Sequence, residues 1–360
     1  METETSEGQT GRRRPLEGPA VWRGADLPNI SGWRRPLAAS EIEALDAALR
    51  CSQTHCADWR DITVDTFPLG DFAASLARVR DNLENGLGLV KFSGLPVDRY
   101  DEDERRRIFF GIGAHLGNHV SQSAQGEMMG DIRDEGAEAL RRGLITGDDD
   151  TKAFLSSRAR VQTPALLRFH TDRTDVVGLL CVRPAAEGGI SKVVSTQAIY
   201  NEILERRPDL LEVLCQDFNR SLFGQETGGR EMIHALPVFC FRDGAFTSYY
   251  SRTYLEAAEK IPGVEPMTDI QVEALDMLGE VAEELCYDMH FAAGDMQFLN
   301  NHIMYHARSS FTDEAGEGRL LHRIWLSMSN GRALPESYRI LWGNIESGAL
   351  RGGIAQDTAA

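Results

Sequence analysis

The chain has 360 residues, enough for one large domain or two ordinary ones, and its 42% hydrophobic and 26% charged residues are typical of globular proteins. The 55 acidic and 38 basic residues give a formal net charge of -17. That excess argues against nucleic-acid partners, which are bound through clustered Lys and Arg. No apolar stretch approaches the ~20 residues that span a bilayer, and the N-terminus lacks an apolar signal core. With six cysteines and no CxxC pair, we expect a cytoplasmic protein with free thiols and no membrane partner.

The first third of the chain predicts helices around one strand. Alternation from residue 88 to 94, closed by Gly-Leu-Pro, predicts the strand. The last of the helices begins with acidic residues, which favour a helix N-terminus because of the helix dipole, and it ends before Gly117. Apolar residues at helical spacing predict three helices, over 39–50, 72–83 and 101–116.

The stretch from 121 to 164 has a different texture. It holds several glycines, an acidic run at 148–150 and little sustained periodicity. A segment of this length without a clear element is usually a functional loop, so we predict a lid-like insertion there. The chain shows no repeat and no interdomain linker. We therefore predict a single domain over 19–345, with a disordered tail at 1–18 and a flexible C-terminal tail at 346–360.

From residue 165 the chain consists mainly of short apolar runs separated by turns. Arg-Asp-Gly-Ala at 242–245 lies between two such runs and is a hairpin signal. Many short strands with a few inserted helices favour an α+β, mainly β fold over a doubly wound parallel sheet. The specific prediction is a jelly roll, or double-stranded β-helix, with flanking helices. Strands are predicted over 176–182, 189–195, 237–241, 246–250, 294–300 and 320–327, and helices over 198–215 and 268–285.

A short motif, His170-Thr171-Asp172, carries the first chemical signal. In an extended segment residues two apart point to the same side, so His170 and Asp172 can grip one ion while Thr171 points away. A third ligand must come from another strand, and the segment from 295 to 311 offers His302 and His306. The spacing of these two histidines does not choose between them. Two imidazoles and one carboxylate on one face of Fe(II) leave three coordination positions open.

Two arginines follow His302 and His306 in the chain. Arg319 and Arg323 are four residues apart in a predicted strand and therefore share a face. Arg323 lies inside an apolar run, so its charge needs a buried anion, either an internal Asp or Glu or the carboxylate of a bound keto acid. His322, next to Arg323, alternates away from it. An open metal site beside such a clamp indicates an Fe(II) enzyme that uses a 2-oxo acid to activate O2.

Four motifs together resemble the TauD/TfdA family of Fe(II)/2-oxoglutarate-dependent dioxygenases. They are Phe-His-Thr-Asp at 169–172, Glu-Gly-Gly-Ile-Ser at 187–191, the segment 295–306, and Arg-Leu-Leu-His-Arg at 319–323. They occur in the family's order and approximate spacing, and the resemblance covers roughly residues 85 to 330. It implies that His170 and Asp172 are iron ligands and selects His306, rather than His302, as the third.

The resemblance also implies roles in binding 2-oxoglutarate and the prime substrate. Arg323 matches the arginine that pairs with the far carboxylate of 2-oxoglutarate, and Arg319 matches its companion. Ser191 falls where the family often has a threonine that contacts the same carboxylate. Gln122 lies near a family position that touches the prime substrate. Phe169 stands where the family usually has tryptophan, and the substrate of taurine dioxygenase is not carried over to this chain.

The implied activity is hydroxylation of a C–H of a small organic substrate, with Fe(II), 2-oxoglutarate and O2 as cofactors and decarboxylation of 2-oxoglutarate to succinate and CO2. An intact Asp172 favours hydroxylation over halogenation, because related halogenases replace this carboxylate with a small residue. Two other readings use the same ligands. One is a cupin-like metal-dependent isomerase or hydrolase, and the other is a non-catalytic ligand-binding relative. The resemblance also allows for a homo-oligomer.

Overall fold

The computed structural model describes residues 13–135, 145–146, 153–154, 161–222, 233–313 and 318–355. Within these ranges the helices are α1 (Ala39–His55), α2 (Asp71–Asn85), α3 (Glu102–Leu116), α4 (Thr196–Arg206), α5 (Pro208–Leu214), α6 (Arg252–Ala258), α7 (Asp269–Leu285) and α8 (Arg339–Trp342). Short 3-10 turns lie at Leu27–Asn29, Trp59–Asp61, Val97–Arg99 and Glu336–Tyr338.

The strands of the described ranges are numbered in chain order. The first ten are β1 (Arg34–Pro36), β2 (Leu89–Ser93), β3 (Asn118–His119), β4 (Met129–Ile132), β5 (Ile145–Thr146), β6 (Ala153–Phe154), β7 (Leu167–His170), β8 (Val176–Arg183), β9 (Glu187–Gly188) and β10 (Ser191–Ser195). The others are β11 (Phe218–Ser221), β12 (Ile233–Leu236), β13 (Phe239–Arg242), β14 (Ala245–Ser248), β15 (Tyr287–Met289), β16 (Met296–Asn300), β17 (Met304–Arg308), β18 (Phe311–Thr312) and β19 (Leu320–Ser327).

Two sheets form the centre of the protein. The larger has seven strands in the order β1-β2-β16-β8-β19-β3, with β4 also paired to β19. The smaller has the order β15-β10-β17-β7. All pairs in both sheets are antiparallel except β1 with β2. The chain passes from β7 of the smaller sheet to β8 of the larger through residues 171–175, so this connection lies where the sheets meet.

Apolar faces of the helices cover the outer sides of the sheets. Helices α1, α2 and α3 share a buried core with β2, β8, β16 and β19, in which Phe92, Phe298 and Ile324 are fully buried. Helix α3 begins with a capping box, because the Asp101 side chain accepts from the Glu104 amide and the Glu104 side chain accepts from the Asp101 amide. Helices α4, α5 and α7 belong to a second core with the smaller sheet.

Most predicted elements match the structure, and the exceptions have local causes. The helix predicted over 198–215 is two helices, because Pro208 lacks an amide hydrogen and begins α5 immediately after α4 ends. The predicted hairpin is formed by β13 and β14. Its two turn residues, Asp243 and Gly244, have φ of 52° and 81°, as a type I′ turn requires.

The described parts of both predicted tails make contacts with the rest of the protein. In the N-terminal tail predicted over 1–18, Arg13 pairs with Glu212 and Leu16 exchanges hydrogen bonds with Asn201. Residues 1–12 lie outside the described residues. In the C-terminal tail predicted over 346–360, Arg351 and Ile354 are buried, and residues 356–360 lie outside the described residues.

The insertion predicted over 121–164 is partly described. It contains β4, which pairs with β19, and the two-residue strands β5 and β6, which pair with each other. Residues 136–144, 147–152 and 155–160 lie outside the described residues, so the lid stays a prediction. Among the helices that are described, none is long and apolar enough to cross a membrane.

Candidate active site

Three side chains predicted as metal ligands lie together between the two sheets. One ligand atom from each of His170, Asp172 and His306 falls within 4.8 Å of the others. Nε2 of His170 is 4.0 Å from Oδ1 of Asp172, and Nε2 of His306 is 3.7 Å from Oδ2. These distances are too long for hydrogen bonds, so the three groups face one another without satisfying one another.

Strand pairing brings these ligands together. His170 is the last residue of β7 and lies directly opposite His306 of β17. Asp172 follows two residues later, in the connection to β8, and its amide donates to Oδ1 of Asn301 at 3.1 Å. Thr171, between the ligands, turns the other way and bonds the backbone of Tyr250. The alternation expected from the sequence therefore holds.

The protonation states of the triad suit a divalent cation. Nδ1 of His170 lies 2.9 Å from the carbonyl of Arg168, a contact that needs the proton on Nδ1 and leaves the Nε2 lone pair toward Asp172. Burial lowers the pKa of both histidines, that of His306 to about 3, so the imidazoles are neutral. Burial opposes ionisation of Asp172, but the charge of Arg323 and the hydrogen bond from Trp325 act the other way, and the pKa of Asp172 is lowered. Neutral imidazoles and an ionised carboxylate are the forms that bind metal.

Two side chains of β19 hold the Asp172 carboxylate. Nε1 of Trp325 donates to Oδ2 at 3.1 Å, and Nη1 of Arg323 lies 3.6 Å from Oδ1. Gln122 in turn fixes Arg323, because its Oε1 accepts from Nε of Arg323 at 2.6 Å and its Nε2 donates to the Arg323 carbonyl at 2.8 Å. The resemblance placed Gln122 at the substrate, and that role stays a prediction.

Arg319 immediately precedes β19 and lines a cavity of about 280 Å³. Gly189 and Ile190, which directly precede Ser191, line it too. The Arg319 side chain is buried, its Nη1 has no hydrogen-bond partner, and burial lowers its pKa to about 10. Gly189 has φ of 63°, and an added Cβ there would lie 3.3 Å from Nε of Arg319. A buried guanidinium with an unpartnered nitrogen can bind an anion.

A third buried guanidinium, that of Arg308, lies close to Arg319. Both stand over the ring of Phe311, with Cζ 4.7 Å and 5.3 Å from its centroid. Arg308 donates to the carbonyls of Val161, Thr163 and Ala165, and burial together with Arg319 lowers its pKa to about 9. It faces Ser191 across the β10–β17 pairing. This end of the space between the sheets is strongly cationic.

The other two histidines near the motifs are engaged elsewhere. Nε2 of His302 lies 2.8 Å from Oδ1 of Asp175, within a buried network. Nδ1 of His322 lies 2.8 Å from Oδ1 of Asp131, on the opposite side of β19 from Arg323. Neither histidine is available to the triad.

Sequence reasoning missed Trp325, Arg308 and Asn301. Two of them have a signal in the strand pattern, because Trp325 lies two residues beyond Arg323 and Arg308 two residues beyond His306. Asn301 sits in the turn between β16 and β17, and no periodicity indicates it.

Two known proteins are similar to the chain over most of its length. FR-33289 synthase from Streptomyces rubellomurinus is 28% identical over 333 residues, which are 90% of this chain and 94% of the relative. Taurine hydroxylase-like protein SAT17 from Stachybotrys chartarum is 27% identical over 315 residues, 86% of this chain and 79% of the relative.

Solved structures confirm the predicted fold, a double-stranded β-helix with flanking helices. An asparagine oxygenase in complex with Fe(II), 2S,3S-3-hydroxyasparagine and succinate has a TM-score of 0.59 at 17% identity, over 88% of this chain and 100% of its own. The non-heme iron oxygenase OrfP in complex with Fe and alpha-ketoglutaric acid has a TM-score of 0.58 at 14% identity, over 88% and 99%.

The model of a whole protein family also matches the chain. Its description is taurine catabolism dioxygenase TauD, TfdA family, and the match runs from residue 52 to residue 325. This interval contains the predicted ligands, Arg319 and Arg323. The chain therefore belongs to the TauD/TfdA family of Fe(II)/2-oxoglutarate-dependent dioxygenases.

Proposed function

We propose that this dioxygenase binds Fe(II) through His170, Asp172 and His306 and hydroxylates a C–H of a small organic substrate. The observation that carries the proposal is the triad, because its three ligand atoms face one another in metal-binding form, at distances too long for hydrogen bonds and suited to a shared cation. When bound, iron with 2-oxoglutarate and O2 supplies the oxidant for the C–H, while 2-oxoglutarate becomes succinate and CO2.

The buried arginines support a division of roles that differs from the one implied by the resemblance. Arg319 is proposed as the principal partner of the far carboxylate of 2-oxoglutarate, with Ser191 beside it and Arg308 adding positive charge. Its unpartnered Nη1 and the adjoining cavity support this assignment. Arg323 already contacts Gln122 and the Asp172 carboxylate, which favours a role in orienting that ligand.

The protein contributes positioning and a fixed charge state. His170 is held in one tautomer by the Arg168 carbonyl, and Asp172 is held through its amide by Asn301 and through its carboxylate by Trp325. Such outer contacts orient metal ligands before binding and so lower the ordering cost of the site. The positive charges of Arg319 and Arg308 would favour one orientation of the bound keto acid, with its keto group toward the triad.

Related structures contain a hydroxylated amino acid, 3-hydroxyasparagine in one case and (3S)-hydroxy-L-Arg in another. They support a small-molecule substrate for this chain. Hydroxylation, rather than halogenation, is supported by the intact carboxylate of Asp172. A cytoplasmic location, the lack of nucleic-acid and membrane partners, and a homo-oligomer stay predictions.

The proposal is tested on the purified protein loaded anaerobically with Fe(II) and 2-oxoglutarate. We expect a weak visible charge-transfer band, and on admission of O2 we expect succinate formation that increases with a suitable small acid, amine or amino acid. An isomerase or hydrolase would consume no O2, and a non-catalytic relative would form no succinate. Absence of the band from correctly folded protein would remove the cofactor assignment.

A further inference from the structure

Residues 349–354, which we call the C-terminal clasp, lie against the connection that carries Asp172. The amide of Gly353 donates to the carbonyl of Arg173 at 2.8 Å. Nε of Arg351 donates to Oδ1 of Asp175 at 2.8 Å, and both of these side chains are buried. The clasp therefore holds the chain at the first and third residues after Asp172.

The clasp also bonds to the residue before Gln122. The amide of Ile354 donates to the carbonyl of Ser121 at 2.8 Å. Gln122, the next residue, accepts from Nε of Arg323 at 2.6 Å, and Nη1 of Arg323 lies 3.6 Å from Oδ1 of Asp172. Ile354 is thus linked to the Asp172 carboxylate through the side chains of Gln122 and Arg323.

A third contact of the clasp is with the end of β19. Ser327 is the last residue of this strand, and its Oγ donates to the carbonyl of Ala349 at 3.2 Å and accepts from the amide of Arg351 at 3.0 Å. Trp325, two residues earlier, donates to Oδ2 of Asp172. The clasp therefore touches three stretches of chain that position Asp172, namely the connection itself, the residue before Gln122, and β19.

Two consecutive glycines allow the clasp to approach these stretches closely. Gly352 and Gly353 have φ of 75° and 69°, a region of backbone conformation that favours glycine. An added Cβ on Gly352 would lie 3.0 Å from the carbonyl oxygen of Arg173. An added Cβ on Gly353 would lie 2.9 Å from the carbonyl oxygen of Ser121 and 2.9 Å from Cβ of Val120. A larger residue at either position would push the clasp away from the chain it contacts.

The connection needs such contacts because residues 171–175 lie between β7 and β8 and belong to neither strand. Their backbone groups are not held by a strand ladder, so they must bond to other parts of the protein. The clasp supplies one of these bonds through its backbone and another through the Arg351 side chain. It lies beyond the interval that the family model matches, which ends at residue 325.

We propose that the C-terminal clasp positions the Asp172 carboxylate for iron and so increases the affinity of the triad for Fe(II). The inference rests on the proposed function, and it adds residues 351–354 to the site as positioning residues that act through Asp172. Contacts of this kind orient a ligand before the metal binds, and losing them weakens metal binding by about ten- to a hundredfold.

Two glycine substitutions in the full chain separate positioning from packing. Gly353→Ala should move the clasp away from Ser121 and lengthen its bond to Arg173. Gly348→Ala is the matched control, because Gly348 also has φ of 69° and an added Cβ there would lie 2.5 Å from the carbonyl oxygen of Ser329. Both variants place alanine in a strained conformation and a crowded space, so we expect both to lower Tm.

The affinity for Fe(II) distinguishes the two variants. Competition with a chelator under anaerobic conditions, well below both Tm values, should show the Kd for Fe(II) raised about tenfold in Gly353→Ala and unchanged in Gly348→Ala. With 2-oxoglutarate added, the charge-transfer band should shift only in Gly353→Ala, because its position reports the coordination of the iron. Equal Kd values in the two variants would overturn the proposal.

A milder pair of variants decides if Gly353→Ala does not fold. The Ile354 side chain is buried in the core that contains Trp325, whereas Ile345 is buried in a separate core with Trp342. Ile354→Ala keeps the backbone of the clasp and should raise the Kd for Fe(II) by less than about tenfold, and Ile345→Ala should leave it unchanged. Equal Kd values in this pair would likewise contradict the proposal.

The two proposals fail in different ways. Absence of the charge-transfer band from the wild-type protein with Fe(II) and 2-oxoglutarate would contradict the proposed function. A normal band in the wild-type protein, together with the same Fe(II) affinity in Gly353→Ala and Gly348→Ala, would contradict only the role of the C-terminal clasp.

Discussion

Two buried groups of histidine and aspartate come from the same two stretches of chain and differ in one respect. Asp175 accepts from Nε2 of His302, from Nε of Arg351 and from the amide of Met328, each at 2.8 Å. Asp172 lies 4.0 Å from His170 and 3.7 Å from His306. The first group is closed by its own hydrogen bonds, whereas the second needs a cation to satisfy it. The same residue types therefore form a structural network in one place and the proposed metal site three residues away.

The largest expected effect separates the two histidines. His306→Ala should abolish stoichiometric Fe(II) binding and the charge-transfer band, because two ligands hold iron far more weakly than three. His302→Ala should keep the iron and lose stability instead. Metal analysis after anaerobic loading and desalting measures both. Iron retained by the first variant and lost by the second would reverse the assignment.

Removing the charge of the closed group should cost stability. Asp175→Asn leaves the buried guanidinium of Arg351 without its anion, and we expect the free energy of unfolding to fall by about 3–5 kcal/mol. Urea denaturation of the apoprotein measures this change. The folded variant should still bind one Fe(II). A loss below about 1 kcal/mol would mean that the network is not a structural anchor.

Arg319 and Arg323 offer a sharper comparison, because different roles are proposed for them. Arg319→Leu should raise the Kd for 2-oxoglutarate about a hundredfold, or roughly 3 kcal/mol, because it removes the proposed charge partner of the far carboxylate. Arg323→Leu should affect it less and weaken iron binding instead, since Arg323 contacts Asp172. Anaerobic titration of the charge-transfer band compares the two. A larger loss in Arg323→Leu would restore the roles that the resemblance implied.

Acid should weaken the closed group. Burial, opposed by Asp175 and assisted by Arg351 and Arg332, lowers the pKa of His302 from 6.5 to about 4. In the unfolded chain the His302 imidazole is protonated already near pH 6.5, whereas in the folded protein it is protonated only near pH 4. The contribution of His302 to the free energy of unfolding is therefore lost as pH falls from 6.5 towards 4, by about 3 kcal/mol. The His302→Gln variant has no side chain at this position that takes up a proton, so its free energy of unfolding should decline less between pH 6.5 and 4. Parallel pH curves for the two proteins would contradict the argument.

The smallest expected effect concerns Trp325. Trp325→Phe removes the N–H that donates to Oδ2 of Asp172, and we expect Fe(II) affinity to fall about tenfold. Competition with a chelator measures it. Trp33→Phe is the control, because its indole N–H donates to the Leu27 carbonyl away from the triad. Equal effects in both variants would show that the loss is one of packing.

Local signals in the sequence predicted much of the fold. Helices with caps and long strands such as β8 and β19 appear close to their predicted bounds, because spacing and capping act within a few residues. The order of strands in the sheets could not be predicted, since β16 pairs with β2 and β8 from distant parts of the chain. Short strands such as β3 and β9 have too few residues to show alternation.

The site was predictable to the extent that it follows alternation. His170 and Asp172 obey it, but His302 and His306 could not be separated by it, because His302 lies in a turn and β17 begins only at Met304. The resemblance supplied that choice.

The most direct test of the central claim is an anomalous difference map from crystals grown anaerobically with Fe(II) and 2-oxoglutarate. We predict one iron peak bonded to His170, Asp172 and His306, with the far carboxylate of 2-oxoglutarate at Arg319. A peak beside His302 and Asp175, or no peak at the triad, would contradict the metal assignment.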